Sequence, residues 1–287
     1  MKIQLGIDIG GTTVSIGGVL ETQLVFAHSV WLAKGCKPLV EQIVKLWKWA
    51  MEQAGEREVE LSLGIGCPGT WVDGKILPGT ALNLETYSGE MDGFNLGESV
   101  WRHLPKNWVV RVQNDAWTQA KGGIMLLSHS KMPCKWGYVG PGTGLGGAIV
   151  EVTPSGMIVS GVGDLCAKAE PDLCGKLIER LTGYTAYSIA RTSALADQFM
   201  PIFDRMGIRL GQVILDMVDR YQVDGIIIGA SLGTQPPVSG WLLSAAHDFI
   251  AKKERKAPPI EVIHDPRRAA ILGACNLENE ASRGSMA

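Results

Sequence analysis

Ile3-Gln4-Leu5-Gly6-Ile7-Asp8-Ile9-Gly10-Gly11-Thr12-Thr13-Val14-Ser15-Ile16-Gly17-Gly18-Val19-Leu20 decides the fold. Two apolar runs of strand length, 3–9 and 14–20, flank a Gly-Gly-Thr-Thr turn, which is the pattern of a β-hairpin. The first run ends by delivering a carboxylate, Asp8, to the mouth of that turn. Two glycines there let the backbone approach a ligand closely, and turn N–H groups form an anion-binding concavity. Asp8 would repel a bare phosphate, so the pairing implies a divalent cation between them, Mg²⁺ held through waters. A purely structural hairpin turn is the competing reading.

Downstream the pattern alternates. Leu24–Trp31 reads as a third strand, and 38–54 as a helix with apolar residues at helical spacing, Pro38 near its start and Gly55 at its end. Leu61–Gly66 is a strand closed by Cys67-Pro68-Gly69. A turn-rich stretch covers 73–97. Trp108–Val112 is a strand leading into Asn114-Asp115 and a helix to about 127. Trp136–Val139 and Leu145–Val152 form a second hairpin around Gly140–Gly144. A helical region from 171 to 220 is expected to break near Gly183 and Pro201. The strand 225–229, helix 238–252, strand 260–263 and helix 269–280 complete the chain. Alternating elements place it in the α/β class. Two hairpins with Gly/Thr turns predict two similar α/β domains facing each other across a cleft. The expected boundaries are 1–115, joined by the closing helix near 269–282, and 116–268.

Composition narrows the function. The chain has 287 residues, 27 Lys+Arg against 29 Asp+Glu, and a net charge of -2. That balance argues against a nucleic-acid partner. No apolar run reaches the ~18–20 residues of a membrane span. The amino end reads as a strand rather than a leader, and the six cysteines include no Cys-x-x-Cys pair. A cytoplasmic protein with reduced thiols is expected. Glycine is abundant, 36 residues, well above the average of about 7%, and it clusters after apolar strands.

Three further clusters carry chemistry. Gly142-Thr143-Gly144-Leu145-Gly146-Gly147 could cradle phosphates, although a short Gly-x-Gly run also serves as an ordinary hairpin turn. No Gly-Lys-Ser/Thr follows, so it is not a Walker loop, and the strand after it makes a poor Rossmann fingerprint. Asn114-Asp115 stands at a strand's carboxyl end, where open α/β sheets bind ligands and where a carboxylate can accept a hydroxyl proton. A helix N-cap is the alternative. Gly229-Ala230-Ser231 follows a buried strand and leaves room for a flat ring such as adenine, or else serves tight helix–strand packing.

Together, in this order, these segments resemble the ROK (repressor, open reading frame, kinase) sugar kinases, glucokinase-like members of the actin/hexokinase/heat-shock-chaperone superfamily. Gly64-Ile65-Gly66-Cys67-Pro68-Gly69, Ala81-Leu82-Asn83-Leu84 and 265–274 add to the likeness, which spans residues 3–280. The resemblance implies two ribonuclease-H-like domains and ATP-dependent phosphorylation of a hexose or amino-sugar hydroxyl. It implies that Asp8 orders Mg²⁺ through water. Gly10, Gly11, Thr12, Thr13, Gly142, Thr143 and Gly144 would hold phosphates, and Gly229, Ala230 and Ser231 would border adenosine. Asp115 would be the general base. Gly69, Asn83, Asn114, Asp115, Asp164 and Glu179 would contact a small-molecule sugar, and a homodimer fits the family.

The chain also departs from the family. Gly163-Asp164-Leu165-Cys166-Ala167 stands where the family has Gly-Glu-x-Gly-His. Only Cys166 and Cys174 remain of its zinc loop, so no structural zinc is expected. The altered segment keeps two competitors alive: a catalytically weak sugar- or nucleotide-binding protein, and a kinase using polyphosphate or a non-sugar alcohol.

Overall fold

The protein is described from a computed structural model covering residues 1–80, 90–127 and 134–277. The chain divides into two compact units, 1–126 with 267–287, and 127–266. Among the described residues no helix is long and apolar enough to cross a membrane.

The first unit opens with β1 (Ile3–Ile9), β2 (Thr13–Leu20) and β3 (Gln23–Trp31), an antiparallel meander. Helix α1 (Cys36–Ala54) follows, then β4 (Val59–Cys67), the short hairpin β5 (Trp71–Val72) and β6 (Lys75–Ile76), helix α2 (Leu96–Trp101), β7 (Val109–Asn114) and α3 (Asp115–Leu126). The sheet order is β3-β2-β1-β4-β7, with β1, β4 and β7 parallel. Its strands β1 and β2 are buried almost throughout, because α1 covers the sheet with Leu39, Val40, Ile43, Leu46, Ala50 and Ala54. Each fully buried Leu or Ile of this set contributes about 1.5–3 kcal/mol of transfer free energy.

The second unit repeats that plan. β8 (Cys134–Pro141), β9 (Leu145–Thr153) and β10 (Gly156–Gly161) form an antiparallel meander. Helices α4 (Leu165–Ala169), α5 (Gly175–Thr182), α6 (Ala186–Ala190) and α7 (Ser193–Tyr221) follow, then β11 (Gly225–Ile228), α8 (Ala230–Thr234), α9 (Val238–Lys252) and β12 (Ile260–Val262). The order is β10-β9-β8-β11-β12, with β8, β11 and β12 parallel. In both units the sheet therefore reads third, second, first, fourth, fifth strand. The core of the second unit is built from Phe203, Met206, Leu210, Val213, Ile214 and Met217 of α7 against Leu242, Ala246 and Ile250 of α9.

Two expectations about boundaries need correction. Pro201 does not break a helix: α7 runs through it. Proline inside a helix costs about 3 kcal/mol, but Ala196, Phe203 and Met206 on either side are all buried, and that packing outweighs the local penalty. Gly183 does end a helix, capping α5 at φ 74°. The division placed after residue 115 falls instead after Leu126, so α3 belongs to the first unit.

The reason lies in the last helix, α10 (Pro266–Cys275). It packs backbone against backbone on β1, β4 and α3. A Cβ on Gly64 would lie 1.8 Å from the Ala274 carbonyl oxygen, one on Gly6 2.4 Å from that of Ile271, and one on Gly273 1.8 Å from that of Thr118. Lys121 of α3 ties the end of α10, donating from Nζ to the Asn276 carbonyl at 2.6 Å. Gly64→Ala should therefore displace α10 and destabilise by about 1–3 kcal/mol, the range for overpacking. Gly240, in α9 and exposed, has nothing within 4 Å of the point where a Cβ would lie. Gly240→Ala should stabilise by about 0.5–1 kcal/mol. Urea denaturation of the two variants beside wild type reads both signs.

Candidate functional site

In the first unit three parallel strands end side by side. Asp8 of β1 is in register with Gly66 of β4, Gly66 with Gln113 of β7, and Cys67 with Asn114. The carboxyl ends of the strands thus gather Asp8, the Cys67-Pro68-Gly69 turn and Asn114-Asp115. Chain continuity supplies the rest: β1 passes into the Gly10–Thr13 turn, closed by Gly10 N–H donating to the Thr13 carbonyl at 2.9 Å. The Thr12 carbonyl accepts from Leu32 N–H at 2.9 Å. Gly11 is half-buried in that turn and the Thr12 side chain faces solvent.

Asp115 is the first residue of α3. The cap before it is Asn114, whose Oδ1 accepts from Ala116 N–H at 3.0 Å and Trp117 N–H at 3.3 Å. Asn114 Nδ2 donates to the Gly69 carbonyl at 2.8 Å. Gly69 itself has φ 110°, a conformation that favours glycine. Asn114 thus caps the helix and clamps the neighbouring turn. Trp71 is buried, its indole N–H on the Cys67 carbonyl at 2.9 Å, and Trp117 is half-buried on α3.

Both acids are poised. Burial, with repulsion from Asp115 adding to it, pushes the Asp8 carboxyl up to about 7, against a hydrogen bond from Gln119 and the nearby charge of Arg267. Burial pushes Asp115 up to about 6, although the backbone N–H groups of Ala116 and Asp115 itself pull it down. The two raised carboxyls mark a candidate site by a stated physical cause. Asp8 Oδ1 is buried and has no hydrogen-bond partner. Cys67 is fully buried beside the acids, and burial with both carboxylates raises its thiol well above the ordinary value, so it stays neutral.

The second unit brings two other predicted segments together. Gly142 N–H donates to the Gly144 carbonyl at 2.8 Å, closing the turn between β8 and β9. A Cβ on Gly142 would meet the Ala230 Cβ at 3.3 Å and Ser231 Oγ at 3.8 Å. The turn at 142–144 therefore lies against 230–231. The start of α5 joins them, with Gly175 N–H on the Gly142 carbonyl at 2.7 Å. Ala230 holds φ 53°, an unusual value for a residue with a side chain. The fully buried Tyr138 ring lies 2.4 Å from the position that a Cβ on Gly229 would take, and its hydroxyl 2.5 Å from that of a Cβ on Gly140. Small residues here allow the tight packing of the turn and α8 on Tyr138.

Asp164 and Glu179 belong to the second unit. Asp164 is exposed and ion-paired with Lys168 and, at 3.5 Å, with Arg220. The Lys168 contact holds its carboxyl below the usual range. Glu179 is exposed on α5. Asn83 lies outside the described residues. Cys166 and Cys174 are buried free thiols, Cys166 pushed up by burial to about 12. Among the described residues, no three His, Cys, Asp or Glu side chains cluster to hold a metal ion.

Sequence reasoning missed Gln119 and Arg267. Gln119 lies four residues after Asp115, one helical turn on, which places both on one face of α3. Arg267 is the second residue of α10, and only the folded chain brings its charge near Asp8.

No family model matches the sequence, and no curated protein matches it. Solved structures do. A ROK family glucokinase from Streptomyces griseus, in complex with glucose and AMPPNP, superposes with a TM-score of 0.73 at 18% identity, over 97% of this chain and 99% of that one. A ROK hexokinase from Thermus thermophilus gives 0.71 at 19%, over 98% and 100%. A ROK family protein from Streptococcus pneumoniae in complex with sucrose gives 0.68 at 17%, over 95% and 96%. The chain accordingly has the fold of these ROK structures, two α/β units each built on a five-stranded mixed sheet.

Proposed function

We propose that the protein is an ATP-dependent sugar kinase that phosphorylates a hydroxyl of a hexose or amino sugar, with Asp115 as the general base. One observation carries the reading: two half-buried carboxyls, raised to about 7 and about 6, stand at the carboxyl ends of β1 and β7, the parallel strands on either side of β4, and Asp115 acts on Asp8 through its charge. A base poised near the working pH is what proton transfer from an alcohol requires. Asp115 takes the hydroxyl proton as the alcohol oxygen attacks the γ-phosphorus and the bond to ADP breaks, so the proton ends on the carboxylate and the charge on ADP.

The backbone N–H groups of the Gly10–Thr13 turn and of Gly142–Gly144 take phosphate oxygens, and Gly229, Ala230 and Ser231 border the adenosine. Gly69, Asn114 and Asp115 contact the acceptor sugar, and Asn83, Asp164 and Glu179 are assigned to it with them. The orphaned Oδ1 of Asp8 fits a Mg²⁺ ion held through water. When bound, that ion supplies charge neutralisation to the phosphates.

A second reading, a sugar- or nucleotide-binding protein with little turnover, is favoured by Asp164, whose carboxylate is engaged by Lys168 and Arg220, and by exposed Glu179. A site without those acids would hold fewer sugar hydroxyls, each missing partner costing about 1–3 kcal/mol. ADP release from ATP and Mg²⁺ over a panel of hexoses and amino sugars decides. At least one sugar should stimulate release by ten-fold or more over water. Sugar binding by calorimetry with no release from any sugar would select the second reading. Release with polyphosphate alone, or with a non-sugar alcohol alone, would move the donor or the acceptor.

A further inference from the structure

Asp8 carries one oxygen that nothing in the first unit satisfies. Its Oδ1 is buried and without a partner, although a buried unpaired carboxylate oxygen is costly. The carboxylate is not left loose, because the Gln119 side chain hydrogen-bonds it. Gln119 sits on a turn of α3 whose backbone is tightly packed. Its neighbour Thr118 presses on Gly66, the register partner of Asp8: a Cβ there would lie 2.5 Å from Thr118 Oγ1. Thr118 is fully buried, and its hydroxyl donates to the Asp115 carbonyl at 2.8 Å. The same turn of α3 backs onto α10, where Gly273 meets the Thr118 carbonyl.

We infer that Gln119 is a positioning residue, fixing the Asp8 side chain so that Oδ1 is held open towards the hydrated cation of a metal–nucleotide complex. The inference rests on the proposed kinase reading and deepens it. One helix then sets two groups: Asp115 at its first position and, one turn later, the amide that aims Asp8. The chemistry suits a neutral donor. An amide satisfies one carboxylate oxygen without cancelling the negative charge that a cation needs, whereas a lysine there would cancel it and a carboxylate would add repulsion.

Gln119→Met keeps length and bulk and removes the donor, so it separates positioning from packing. The measurement is calorimetric binding of AMPPNP, with Mg²⁺ and with EDTA, to wild type, Gln119→Met and Gln119→Ala, with thermal melts as a check on folding. In Gln119→Met the Kd for Mg-AMPPNP should rise about ten-fold, while the Kd in EDTA stays within two-fold and the melt remains a single cooperative transition, lowered only by the loss of one hydrogen bond to a buried carboxyl. Gln119→Ala should show the same loss. An unchanged Mg-AMPPNP affinity in Gln119→Met would overturn the inference and leave the kinase reading standing. Equal weakening with and without Mg²⁺ would also overturn it, showing a packing role. If wild type itself bound AMPPNP no better with Mg²⁺ than with EDTA, both the inference and the metal part of the functional reading would fall.

Discussion

Asp115→Asn is expected to lower turnover by about 10²–10⁴-fold, the contribution of a positioned general base, while Mg-AMPPNP and sugar still bind. Asparagine keeps the size of the side chain at the start of α3. It can still sit beside the backbone N–H groups of residues 115 and 116 that approach the native carboxylate. What it loses is the ability to take a proton. The separation matters, because Asn114 and not Asp115 caps the helix through its Oδ1, so the substitution leaves the cap intact. Steady-state kinetics should show the loss in kcat, with the Kd for sugar changed less than three-fold. The pH profile of wild type gives an independent reading. A base must be ionised, and burial raises Asp115 to about 6 and Asp8, which must be ionised for the cation, to about 7, so the rate should climb with pH from about 5 through about 7 and level above it. Substantial activity in Asp115→Asn, or a rate that is flat from pH 5 to 8, would remove Asp115 from the base role.

How much of this was legible in the sequence differs from element to element. The strand–turn–strand of residues 3–20 is readable because apolar runs of strand length and a Gly-Gly turn are local signals, and the observed β1 and β2 follow it closely. Helix 238–252 is found at both ends. The short pieces were not found. β10 has two glycines in six residues and little alternation. α2 spans six residues, although its signal was present: Asn95 accepts from Glu98 N–H at 2.9 Å, an Asn cap three residues before a Glu. The acids at 8 and 115 could be picked out because each follows an apolar strand. Their mutual repulsion could not, since it depends on β1 and β7 flanking β4 in one sheet. Gln119 and Arg267 are invisible for the same reason. Each acts on Asp8 only after α3 and α10 have packed. Asp164 was picked out by its place in a motif, while its ion pairs with Lys168 and Arg220 are set by the turn spacing of α4 and by the packing of α7 and are not announced by that motif.

Asp8→Asn should make the protein more stable and far less active, and the gain should depend on pH. The folded-state carboxyl is raised from 3.8 to about 7, so the folded chain binds this proton more tightly than the unfolded one. The sign follows directly: the Asp8 contribution to stability is most favourable below the unfolded value, falls as pH rises through the interval up to about 7, and is constant above it. Above pH 7 the folded protein holds an ionised, desolvated carboxylate facing Asp115. Asparagine carries no charge and escapes this penalty. Asp8→Asn should therefore match wild type in urea unfolding near pH 4 and exceed it by about 2–4 kcal/mol at pH 8, the scale set by 1.36 kcal/mol per pKa unit. At pH 8 and saturating sugar, Mg²⁺-dependent ADP release should drop by about 10²-fold, comparable to losing one preorganised group that stabilises transferring charge. Added Mg-AMPPNP should raise the melting temperature of wild type more than that of Asp8→Asn, because a ligand that needs the carboxylate stabilises only the chain that has it. A variant that is destabilised at pH 8, or whose advantage does not shrink on acidification, would show that Asp8 is not held as a strained anion, and the case for a cation beside it would go with it.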